Sequence, residues 1–168
     1  MIALSIVEIR DFMNKLLCKE TFDNFLLKEA VIQSSVTWSL DGTLVTGFFS
    51  KEELEAEGLT GFSFLPFRNI RNQCFHLIKG KRTPSCFKFV FLLSPANLAR
   101  TLAQTHSTYQ PQDITGMFLN LLFQDNRLIL TTGISYRIFS TDRRLEQEWD
   151  ILVRRFLKNH EITFEELS

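Results

Sequence analysis

The sequence predicts an α+β fold: a mostly antiparallel sheet built from two β-hairpins, with helices packed on it. Three observations carry this. Residues 113–139, DITGMFLNLLFQDNRLILTTGISYRIF, read as two long strands turned at Asp125-Asn126, both of which tolerate positive φ. Residues 24–49 alternate with period two around Asp41-Gly42, a second strong hairpin signal. Stripes at helical spacing lie between and after these hairpins.

In order, Ile2–Val7 is a short β-branched strand. Ile9, Phe12, Met13, Leu16 and Leu17 then fall at i, i+3, i+4, i+7 and i+8, one face of a helix over residues 8–18. Asn24–Leu40 is expected as one strand, with Leu26, Ala30, Ile32, Val36, Trp38 and Leu40 sharing a face. Thr43–Phe49 is expected to return along it, so that Trp38 opposes Val45 and Ser34 opposes Phe49. Ser50 and Glu53 form a capping-box pattern before a short acidic helix that Gly58 stops. Pro66 suits the first turn of a helix carrying Phe67, Ile70, Cys74, Leu77 and Ile78, with Gly80 as its C-terminal cap. The unbroken apolar run Cys86–Leu93 predicts a central strand covered on both faces.

Ser94-Pro95 starts another helix, with Leu98, Leu102 and Ala103 inward. In the second hairpin Phe123 opposes Leu128, Leu121 opposes Leu130 and Met117 opposes Ile134. Thr141 or Ser140 caps a last helix whose buried stripe is Leu145, Trp149, Leu152, Val153, Phe156 and Leu157. The acidic tail EITFEELS is expected to be loosely held, with Ile162 and Phe164 able to dock. Strand, helix, hairpin, helix thus occurs twice, a pseudo-repeat of order without alignable residues. No linker divides the chain, so residues 1–168 read as a single α+β domain.

Lys plus Arg and Asp plus Glu both number 19, so the formal charge is zero, which disfavours a dedicated nucleic-acid binder. The 17 Phe point to a large aromatic core or to apolar surface kept for a partner. Three widely spaced cysteines argue against a disulfide framework and for the cytoplasm. No apolar run approaches the roughly 20 residues a membrane span needs.

Catalytic and metal signatures are missing. Cys74 and His76, two apart on a helix, diverge by about 200°, and neither belongs to a paired zinc motif. No Ser sits in a Gly-x-Ser-x-Gly turn, and Glu52, Glu53, Glu55 and Glu57 read as solvated charge. No catalytic residue, metal ligand or cofactor is assigned, and an enzyme is disfavoured. What remains is surface chemistry. Phe62, Phe64 and Phe67 crowd an aromatic connector, and Lys79, Lys81 and Arg82 form a basic turn beside it. Three Phe in six residues either plug the core or meet a partner. Cations just past a helix end either form a solvated cap or contact a polyanion. On the functional reading these six are the candidate partner-binding residues, for another protein or a second copy of the chain.

The segments IALSIVEIRDFMNKLLCKETFDNFLL, LIKGKRTP and FKFVFLLSP resemble an uncharacterised protein family of anaerobic Gram-positive bacteria, a likeness that implies no activity and no ligand. By topology alone, a strand, a helix and antiparallel strands, occurring twice, are similar to a module of the DNA sliding-clamp fold, the piece FVFLLSPANLARTLAQ most of all. That second resemblance implies helices turned toward DNA, with Arg10, Lys15, Lys19 and Arg100 as nucleic-acid contacts. The functional expectation is a non-catalytic cytoplasmic binding or protein-interaction domain; the alternative is a clamp-like nucleic-acid-associated module.

Overall fold

The structure, a computed structural model, describes residues 1–168. Eight strands form one antiparallel sheet: β1 (Ala3–Ile6), β2 (Phe25–Gln33), β3 (Thr37–Asp41), β4 (Leu65–Pro66), β5 (Cys86–Leu93), β6 (Ile114–Gln124), β7 (Arg127–Tyr136) and β8 (Phe164–Glu166). Five α-helices accompany it: α1 (Ile9–Cys18), α2 (Lys51–Ala56), α3 (Arg71–Ile78), α4 (Pro95–Gln104) and α5 (Arg144–Asn159). The strand order is β3-β2-β5-β6-β7-β1-β8, with β4 pairing β2 beyond the end of β3. No helix is long and apolar enough to cross a membrane.

The core lies on one side of the sheet. Phe87, Phe89 and Phe91 of β5 alternate toward it with Met117, Leu119 and Leu121 of β6 and Leu128 and Leu130 of β7. Phe12 and Leu16 of α1, Cys74 of α3, Leu102 of α4 and Trp149, Val153 and Leu157 of α5 cover the same cluster. The abundant Phe residues are used here: Phe22 contacts four other Phe rings at centroid distances of 5.4–6.0 Å. Two polar interactions fix α5. Trp149 Nε1 donates to Phe118 O at 3.0 Å, and Thr132 Oγ1 donates to the buried Asp150 carboxylate at 2.5 Å.

The 113–139 hairpin forms as the pattern dictates. Asp125 and Asn126 have φ of 52° and 59°, and Phe123↔Leu128, Leu121↔Leu130 and Met117↔Ile134 are the observed pairs. The other hairpin does not form as expected. β2 turns at Ser34–Val36, and Trp38 faces Ile32. Asp41-Gly42 instead marks a close approach. Gly42 N–H donates to Lys28 O, and a Cβ on Gly42 would fall 1.7 Å from Leu27 O. Glycine is required there by space, which the residue pair alone cannot signal. Thr43–Phe49 is correspondingly not a return strand: Thr43 makes one bridge to Phe64, and Thr46–Phe48 is a short 3-10 turn.

The tail is held rather than loose: β8 pairs β1 antiparallel and Arg154 Nε lies 2.5 Å from Glu166 Oε1. Ile162 and Phe164 dock as expected, Ile162 buried and Phe164 packed against the core. The expected helix at 66–79 is split: Pro66 closes β4, and α3 begins at Arg71. Thr101 is buried where Ala103 was expected inward, and Asp142, not Ser140 or Thr141, accepts from the Arg144 N–H at the start of α5. β5 is central but covered by helices on one face only. On the other, Lys28 reaches across β5 to put Nζ 5.3 Å over the Phe118 ring.

Both hairpins lie in the same sheet. Strand adjacency nevertheless differs between the halves. β5 pairs with β6, the strand after its helix, whereas β1 pairs with β7 and β8.

Candidate functional site: a basic cavity with an apolar floor

A cavity of about 500 Å³ opens where α1, the end of α3, the turn before β5 and the tip of the β6–β7 hairpin meet. Its floor follows from periodicity. Ile9, Met13 and Leu17 lie at i, i+4 and i+8 on α1, one flank of that helix. Phe87 and Phe123 are cross-strand partners whose rings stack at 4.9 Å, and Ile78 closes the side. This is a volume and a lining typical of small-ligand pockets.

The rim is cationic. Arg10 comes from the first turn of α1, Lys79 from the residue after α3, and Arg82 from the following turn. None of the three is within ion-pair distance of a carboxylate. No Asp, Glu, His or Cys lines the cavity. α1 begins beside the cavity without a side-chain cap, with Asp11 in its first turn outside the lining. The carboxyl end of α3, which carries partial negative charge, lies beside Lys79 and Arg82.

The residues singled out in the sequence are thereby redistributed. Lys79 and Arg82, read as partner-binding, meet Arg10, read as nucleic-acid-binding, in this cavity. Lys81 is exposed in the same turn without lining it. Lys15 is held by Asp11 at 2.7 Å and by Glu161 O at 3.0 Å. Lys19 is exposed just past α1, and Arg100 is exposed on α4. Phe67 is fully buried, edge-on to Phe91 at 5.0 Å, and so forms core. Phe62 and Phe64 are half-buried; Phe64 lines a different cavity, with Lys28 and Ser39. Sequence spacing could not reveal that Arg10 and Arg82 line one cavity, because they are 72 positions apart and only folding brings them to a common rim.

Elsewhere the ionisable groups are structural. Burial pushes the Cys74 thiol up to about 12. The Arg144 guanidinium, hydrogen-bonded to Asp142, holds that carboxyl down to about 2. Burial and then the nearby Glu146 charge raise the Tyr136 phenol to about 12. No three His, Cys, Asp or Glu side chains converge where they could hold a metal ion.

Comparison with known proteins gives one match. Residues 15–165 match the model of a family described as "Family of unknown function (DUF5721)". No curated protein and no solved structure matches the chain.

Proposed function

The chain belongs to this family of unknown function, and from that premise we propose that it is a non-catalytic cytoplasmic binding domain whose site is the basic cavity. The observation carrying the proposal is the gathering of Arg10, Lys79 and Arg82, none paired with a carboxylate, around an apolar floor. The ligand chemistry that complements it is an amphiphilic anion: a phosphate or carboxylate head for the rim and an aliphatic or aromatic body for the floor. With no Asp, Glu, His or Cys in its lining, the cavity is suited to holding such a molecule rather than transforming it.

Decyl phosphate is a suitable probe, with decanol as the uncharged control. Titration calorimetry is expected to show saturable binding of decyl phosphate and much weaker binding of decanol. A hydrogen bond to a charged group contributes about 1.5–3 kcal/mol, so Arg10→Ala and Arg82→Ala should each weaken binding about ten-fold or more. Failure to bind, or binding indifferent to both substitutions, refutes the proposal. If a single-stranded oligonucleotide bound through Arg10 while decyl phosphate did not, the clamp-like nucleic-acid reading would replace it.

A further inference from the structure

We propose that β3 is a self-pairing edge, along which two copies of this chain join antiparallel and continue the sheet from one into the other. β3 ends the sheet on its side and pairs with β2 alone. Its hydrogen-bond phase follows from its two ends. Gly42 N–H donates to Lys28 O, and Ser34 N–H donates to Val36 O. In this register Ala30/Leu40 and Ile32/Trp38 are therefore the pairs that exchange backbone bonds. The N–H and C=O groups of Thr37, Ser39 and Asp41 point outward, and no turn or loop bonds them.

Exposed edges in soluble proteins are normally blunted by Lys, Pro, a bulge or a covering segment. β3, TWSLD, has neither Lys nor Pro, and its pairing with β2 runs without a shift. The surroundings are apolar and open: Trp38 is 43 % exposed, Val45 69 % and Phe48 81 %. Leu40, Val45 and Phe48 line a groove of about 460 Å³ beside the strand.

A second copy fits this edge by its own sequence. A two-fold axis at Ser39 sets Leu40 against the other copy's Trp38 and Asp41 against its Thr37. All five residues then pair. Apolar meets apolar on the helix side of the sheet, and the only charge on the strand meets a hydroxyl. A register moved to Asp41 would oppose two carboxylates, so the Ser39 register is the favoured one. This surface is separate from the basic cavity, and either proposal can fail alone.

The test combines sedimentation equilibrium with amide exchange. At high micromolar concentration the native chain should sediment at twice its own mass, and its Ser39 and Asp41 amides should become protected as concentration rises. Ser39→Pro removes an outward N–H while leaving the bonds to β2 intact, and should sediment as a monomer. Trp38→Lys changes an exposed side chain and sets a charge against the other copy's Leu40. It should weaken association at least ten-fold even if Ser39→Pro fails to fold. A native chain that stays monomeric, or a dimer in which the Ser39 amide exchanges as in the monomer, overturns the proposal.

Discussion

Single residues decide more here than their letters suggest. Gly42 reads as half of a turn signal and is instead the point where the chain after β3 presses against the backbone of β2. Gly42→Ala should destabilise the fold by about 2–4 kcal/mol through that clash. Gly133→Ala, with nothing within 4 Å of its Cβ, should raise stability by about 0.5–1 kcal/mol in urea unfolding. Phe67 belongs both to an apolar stripe with Ile70 and Cys74 and to the aromatic connector, so its surroundings in the sequence offer core and partner surface alike, and the structure places it in the core. Its complete burial predicts a loss of about 3–5 kcal/mol for Phe67→Ala. Phe62→Ser, at a half-buried site, should cost far less. Cys74 adds a pH effect. Its thiol is raised from an ordinary 9.0 to about 12 by burial. The stability this represents is therefore complete below pH 9 and is lost as pH rises from there toward 12. Iodoacetamide near pH 9 should label the exposed Cys18 and spare Cys74 until the chain unfolds, as read by mass spectrometry.

At the scale of elements, legibility followed the locality of the determining contacts. α1, α4 and α5 were readable from apolar periodicity, and the β6–β7 register from two turn residues of the right type. Asn126 holds φ 59° at a cost glycine would not bear. Asn126→Gly should therefore stabilise the hairpin by about 0.5–1 kcal/mol, and Asn126→Val should destabilise it by about 1–2 kcal/mol. What failed were the elements defined by distant partners. β8 looks like an acidic tail, because only its pairing with β1 makes it a strand. β2 and β3 share one alternating pattern, so period two could not show where the chain folds back on itself.

For the whole molecule, the fold class and the central position of β5 were visible in the sequence, while the cavity was not. Its parts were visible singly: an apolar stripe on α1, a basic turn after α3, and a hairpin tip. Their convergence depends on β5 and β6 delivering Phe87 and Phe123 beneath the ends of two helices. On the proposed function, this convergence is a binding site for an amphiphilic anion. Amide chemical-shift mapping with decyl phosphate tests it most directly. Saturable shifts are expected at Arg10, Lys79, Gly80, Thr83 and Asn126, with their disappearance in the Arg10→Ala, Arg82→Ala double variant. Shifts centred on the uncovered sheet face or around Phe48, with the cavity residues unmoved, would contradict it.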